Sequence, residues 1–316
     1  MVLAVKKMFC AAILVALVPS QAHAVEQLET VDELLQRASK SLQEKNYQGR
    51  FTYEFGSTLE TLEVIHAVID GIEFERISHL NGVKREFLRS GRSKECVSAG
   101  GFLLRGGLIS TSNSAISLSQ NYHFYIRGDE RIAGREASVI QVVPKDQYRY
   151  GLTLAIDKES SLPLMSMITS ERRNAIERFQ FVQLNVGEPI AEQRLEPLDD
   201  QFTQLDGSGQ DCGQVPRSPT EWRATWLPSG FVLSHVGQDD KGDALTYTDG
   251  LASFTLFISV HHDAASAKQG LARRGATTAL MSVLPNPKGA TSVILVGEIP
   301  TNTAQKVVSS VRKAVK

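Results

Sequence analysis

Apolar spacing divides the chain into a helix, a long run of strands, a break, and a second strand set with a closing helix. Val31, Leu34, Leu35, Ala38 and Leu42 recur at helical spacing. They follow Thr30-Val31-Asp32-Glu33, in which the Thr30 hydroxyl and the Glu33 carboxylate can satisfy free first-turn N–H groups. This predicts an amphipathic helix of about four turns, ended by Asn46 and Gly49. From Tyr47 the period is two: Phe51, Tyr53 and Phe55 alternate with Thr52 and Glu54, as in a half-buried strand. Leu62–Ile69 is another strand-like run, and Asp70-Gly71 and Asn81-Gly82 favour the φ > 0 turns of tight hairpins. Gly100 to Gln120 is loop-like. Strand patterns resume at Tyr122–Ile126, Ala137–Val143, Gly151–Asp157, Leu164–Thr169 and Glu177–Leu184.

Leu195 to Pro219 carries Pro197, Pro216, Pro219 and three glycines among four aspartates, the composition of a linker. Beyond it, Gly230–Val236 and Ala252–Val260 are predicted strands and Ala264–Arg274 a helix. Thr277–Leu284 and Thr291–Gly297 flank a Pro-Asn-Pro-Lys-Gly turn. Ala304, Val307, Val308, Val311, Ala314 and Val315 trace one face of a final helix. A helix followed by an antiparallel meander predicts an α+β fold with helices on one face of a curved sheet. The domain reading is residues 1–24 as a signal peptide, 25–194 as a large first domain, 195–219 as a linker and 220–316 as a smaller α+β domain.

The signal assignment comes from Lys6-Lys7, the apolar stretch Met8 to Val18, and Ala22-His23-Ala24, which places cleavage after Ala24. Cys10 lies inside the apolar stretch, away from the cleavage point, so no lipid anchor is expected. No later stretch is apolar for the ~18 residues a membrane span needs. Removing residues 1–24 takes two lysines and no acid, leaving 32 basic against 35 acidic residues. That balance gives no global attraction to nucleic acid. Export leaves Cys96 and Cys212 in an oxidising compartment, where they form one bridge or stay as free thiols. A bridge closing so long a loop would contribute about 4–5 kcal/mol.

Little in the chain points to catalysis. Metalloprotease, nucleophile-elbow, phosphate-loop and paired-cysteine motifs are absent. Asp239-Asp240-Lys241-Gly242-Asp243 departs from calcium-loop spacing and reads as a solvated acidic turn. His261-His262-Asp263 ends a strand pattern in which adjacent side chains diverge, so no catalytic or metal site is assigned. No cofactor is expected. Basic groups at Arg127/Arg131/Arg135, Lys84–Lys94 and Arg172/Arg173/Arg178 suit either solvated strand faces or contact with anionic lipid or an acidic segment.

Seven short segments carry a resemblance. In the first domain they are Asn46–Glu54, Arg131–Arg135, Arg149-Tyr150-Gly151 and Leu162-Pro163. In the second they are Thr225–Phe231, Tyr247–Phe254 and Val296–Pro300. In order and spacing the chain resembles the MucB/RseB family over nearly all of its mature length, and the MucB branch more closely. The resemblance implies a first domain like the carriers LolA and LolB, an unclosed antiparallel half-barrel over helices with an apolar cavity. It implies a periplasmic, non-enzymatic regulator that binds the periplasmic domain of a MucA/RseA-type anti-sigma factor. Such a regulator shields that domain from proteolysis, restrains an envelope-stress sigma factor, and is released by lipopolysaccharide or a related lipid. The alternative is a periplasmic lipid or lipoprotein carrier. Trp226, Phe231, Tyr247, Asp249, Leu251 and Phe254 are the candidate partner-surface or interdomain residues, with an ordinary core and turn as the rival. Phe51, Tyr53 and Phe55 are the candidates for the lipid cavity, with ordinary core as the rival.

Overall fold

A computed structural model describes residues 30–91, 118–198, 203–206, 220–239, 242–261, 268–286 and 289–313. The signal segment, Cys96, Cys212, His262 and Asp263 lie outside them. Helix α1 spans Val31–Glu44 and has the expected capping box: Glu33 N donates to Thr30 Oγ1 at 3.3 Å, and Thr30 N to Glu33 Oε2 at 2.9 Å. Its apolar stripe packs on the first sheet. Leu34, Leu35 and Ala38 meet Ile140, Leu154 and Ile168, while Leu42 joins Tyr47, Phe51, Leu62 and Val64.

The first sheet has ten strands: β1 (Tyr47–Phe55), β2 (Thr58–Ile69), β3 (Ile72–His79), β4 (Glu86–Ser90), β5 (Tyr122–Ile132), β6 (Arg135–Pro144), β7 (Gly151–Asp157), β8 (Pro163–Thr169), β9 (Ala175–Val186) and β10 (Thr203–Asp206). Their order is β10-β4-β3-β2-β1-β9-β8-β7-β6-β5, so the sheet has two edges and is not closed into a barrel. All neighbours are antiparallel except β10 with β4. A four-residue helix α2 (Leu118–Asn121) leads into β5. Asp70 and Gly71 form the expected tight hairpin, with φ of 51° and 77° between the paired Ile69 and Ile72.

Asn81-Gly82 does not make a tight hairpin. The β3–β4 connection runs from Leu80 to Arg85, and the Asn81 amide instead accepts from Thr61 N at 2.7 Å and donates to Leu59 O at 3.2 Å. The expected linker begins attached to this sheet. Buried Arg76 donates to Glu196 O at 3.1 Å, and buried Glu86 accepts from Leu198 N at 2.8 Å. Thr203–Asp206 then pairs with β4. Buried charges need partners, and this backbone supplies them.

The second domain has a six-stranded antiparallel sheet of β12 (Val232–Asp239), β13 (Gly242–Thr248), β14 (Ser253–His261), β15 (Gly270–Arg274), β16 (Thr277–Asn286) and β17 (Gly289–Gly297). Its order is β12-β13-β14-β17-β16-β15. Helix α3 (Thr301–Ser309) sets Ala304, Val307 and Val308 against Leu245, Phe254, Leu256 and Leu295. A small pair, β11 (Trp222–Ala224) with β18 (Val311–Lys313), ties the start of the domain to its end.

Three expectations change here. Gly270–Arg274 is an edge strand, not helix, because pairing with β16 captures a segment whose five residues are all exposed. The final helix stops at Ser309, because Thr225 N donates to Ser310 O at 3.0 Å and Val311 turns into β18. Asp243 is not in a solvated turn. It opens β13, is buried, and accepts from Thr220 and Gln238.

Candidate functional site

The resemblance-bearing segments of the two domains meet at a seam. Arg149 follows β6 and is wholly buried. Its guanidinium donates to Asp146 through Nε at 3.1 Å and Nη2 at 2.9 Å, to Ser229 O at 2.6 Å, and through Nη1 to Asp249. Asp249 is also wholly buried and serves both domains. Its Oδ1 accepts from Leu251 N at 3.0 Å and Ala252 N at 2.8 Å, closing its own turn, while Oδ2 takes Arg149 and the Tyr122 hydroxyl at 2.8 Å. The guanidinium carbon lies 5.3 Å from the ring centroids of both Tyr122 and Phe231. Burial, reinforced by the Asp249 charge, holds the Tyr122 phenol well above its ordinary range.

Around this ion pair the second domain inserts a turn and two glycines. Leu251 packs into the first domain's cluster of Leu34, Tyr122 and Ile168, as does Ala276. Gly230 has φ of +80°, and a side-chain carbon there would collide with the Asn121 amide. Gly275 has φ of +56°, and a side-chain carbon there would collide with the Glu177 carboxyl. Only glycine meets both the backbone and the clearance requirement at these points. On one flank Thr303 Oγ1 donates to Tyr148 O at 3.0 Å, Tyr148 meets Trp226 edge-on at 5.1 Å, and Lys306 Nζ lies 4.0 Å from the Trp226 ring centroid.

The other flank is acidic. Glu177 on β9 accepts from Ala276 N at 2.8 Å, beside the Tyr53 hydroxyl. Burial raises its carboxyl above the usual range, against the pull of those two groups. Glu298, just beyond β17, is pushed up to about 8 by burial and then by the Glu177 charge. Arg274 pairs with Glu60 at 3.4 Å and lies 4.6 Å from the Phe55 ring centroid.

The six candidate residues of the second domain therefore fall into two sets. Asp249, Phe231, Leu251 and half-buried Trp226 face the first domain. Tyr247 and Phe254 stack at 5.3 Å inside the second domain's own core. Of the cavity candidates, Phe51 is buried against Phe179 and Phe181, while Tyr53 and Phe55 stand at the seam's acidic flank. In the basic groups, Arg89 is held by Glu75 and Glu73, and Arg135 by Asp157 and Glu159. His261 ends β14, paired with Ala290.

Sequence reasoning gave no role to Tyr122, Tyr148, Glu177, Glu298, Gly230 or Gly275. One signal was readable: Glu298 is the lone charge in the otherwise uncharged run 289–300.

A sequence model described as the MucB/RseB N-terminal domain matches residues 30–199, and one described as the MucB/RseB C-terminal domain matches residues 216–312. The chain is 32% identical over 305 residues to the sigma factor AlgU regulatory protein MucB of Pseudomonas aeruginosa, covering 90% of this chain and 92% of that protein. A crystal structure of MucB in complex with MucA(peri) is similar at TM-score 0.71 and 31% identity, covering 91% of this chain and 100% of that one. A crystal structure of MucB is similar at TM-score 0.62 and 32% identity, covering 89% and 97%.

Proposed function

The chain belongs to the MucB/RseB family, and from that we propose that it is a periplasmic regulator binding the periplasmic domain of a MucA/RseA-type anti-sigma factor. Bound there, it protects that domain from regulated proteolysis and so restrains an envelope-stress sigma factor. Both family domains occur in one chain, and the observation that carries the proposal is the likeness to MucB in complex with MucA(peri) over 91% of the chain.

The geometry supports a binding role. The seam holds the two domains as one platform through a buried ion pair, so both can meet one partner in a set orientation. Trp226, Phe231, Asp249 and Leu251 act by positioning the domains, and Tyr247 and Phe254 by supporting the second domain's core. The release signal is lipopolysaccharide or a related lipid, with Phe51, Tyr53 and Phe55 as the candidates for the cavity that takes it. By linkage, a lipid that prefers the partner-free arrangement weakens partner binding by the factor by which the partner weakens lipid binding.

The test is co-purification of the exported protein with the anti-sigma factor's periplasmic domain, together with the cleavage rate of that domain, with and without lipopolysaccharide. A stable complex that slows cleavage and dissociates with lipopolysaccharide is expected. No complex in a host that encodes such a factor would overturn the proposal.

A further inference from the structure

Glu177 and Glu298 approach the seam from opposite domains, with 3% and 6% of their surfaces exposed. Among the described residues Glu177 Oε1 and Glu298 Oε2 have no hydrogen-bond partner, and only Glu177 has a positive charge acting on it, that of Arg274, which is itself paired with Glu60. Carboxylates ordinarily avoid such a place. A single buried anion without a counter-ion is costly, and two facing each other cost more. Glu298 also lines a small void of about 30 Å³ whose other walls include Tyr122, Tyr150, Leu152 and Ile168 of the first domain and Leu251 of the second. Glu298 therefore borders the first domain across this void.

We propose that Glu177 and Glu298 form a proton-linked latch between the two domains, closed while the pair holds a proton and opening when the proton is lost. Separation of the domains would hydrate both carboxyls and return them to ordinary acidity, so closure takes up about one proton. The Glu298 carboxyl, pushed up to about 8 in the closed seam from an ordinary 4.5, sets the window. The sign follows: closure is strongest below 4.5 and weakens as pH rises to about 8. Across that window the open-to-closed ratio grows by up to tenfold per pH unit.

Other titratable and charged groups surround the pair. Tyr53 on β1, Tyr122 on β5 and Tyr150 are phenols raised by burial and stay neutral. Arg274 on β15 is paired with Glu60 of β2. His79 on β3, near Glu60 and Arg274, is pulled below the ordinary histidine value by burial and by Arg85, so its change of charge falls below neutral pH, where the expected opening begins. The buried ion pair of Arg149 with Asp249 supplies the remaining hold. The latch concerns one chain alone, so it stands or fails independently of any partner.

Small-angle scattering of the full exported chain from pH 5.5 to 9.5, with near-UV circular dichroism to register folding, tests it. The expected result is a radius of gyration that grows between neutral pH and about 9 while the domains stay folded. Glu298→Gln, which removes the carboxyl that sets the window, should stay compact to pH 9.5, whereas Glu177→Gln keeps that carboxyl but removes the facing charge and should open less than the wild type. Hydrogen exchange at the Ala276 amide, whose acceptor is Glu177, reads the same event in the unmutated protein: its protection should fall up to tenfold per pH unit beyond the intrinsic trend. A constant radius and constant protection through pH 9.5, or glutamine variants that open where the wild type does, would overturn the latch. If neither variant folds, the wild-type exchange profile decides.

Discussion

Arg149 and Asp249, 100 residues apart in the chain, form an ion pair across the domain seam in which neither side chain retains any exposed surface. The two ends are not equivalent. Arg149→Met strands Asp249 in the interior with no counter-ion, whereas Asp249→Asn leaves Arg149 paired with Asp146. Removing one partner of a buried pair typically costs about 3–5 kcal/mol. Arg149→Met should fall in that range and Asp249→Asn below it, as read by urea denaturation. Equal losses would show that Asp146 contributes nothing.

The Tyr122 hydroxyl donates to the same Asp249 oxygen. A hydrogen bond to a charged acceptor contributes about 1.5–3 kcal/mol, so Tyr122→Phe should cost that much with little change in packing. Combined with Arg149→Met the losses should not add, because both changes act on one carboxylate. A double-mutant cycle in the same denaturation assay measures the coupling.

Gly230→Ala should destabilise by more than about 1 kcal/mol, since an L-residue at that φ is strained even in open space. The new methyl also meets the Asn121 amide. Asn121→Ala in the same background should recover the collision and leave the strain, so thermal midpoints should rank wild type, then the double variant, then Gly230→Ala.

Acid stability should depend on Arg135. Burial works to raise the Asp157 carboxyl, but hydrogen bonds from Arg135 at 2.8 Å and from Ser160 outweigh it and hold the group below its ordinary 3.8. A lowered folded-state value stabilises the fold above the unfolded value, and the benefit is lost as pH falls through the lowered one. Arg135→Gln removes one support and should move the acid-unfolding midpoint to higher pH. Circular dichroism between pH 6 and pH 2 reads the shift.

Much of the fold was legible where local chemistry and burial agree. The Thr30/Glu33 capping box set the start of α1, and period-two alternation set most strands of the first sheet. Gly151–Asp157 is a strand over the residues its pattern marked. The errors occurred where distant backbone took over. Ser310 is claimed by Thr225, which ends α3. Gly270–Arg274 is claimed by β16, which makes a strand of a segment with no apolar face. In β13 Leu245 and Tyr247 alternate with Thr246 and Thr248, but all four are buried, so the polar face that normally marks a strand beside water is missing.

The sequence by itself determined the α+β class and the family, since these rest on local period, composition and the order of short segments. It also singled out Asp249, as an Asp-Gly turn before a strand. Only the tertiary structure decided what Asp249 does. The side chain closes its own turn with one oxygen and holds Arg149 and Tyr122 of the other domain with the second. Such a role depends on groups over 100 residues away becoming neighbours in a space without water. There an unpaired charge is costly and a paired one is directional. Neither property can be read from a residue before its surroundings exist.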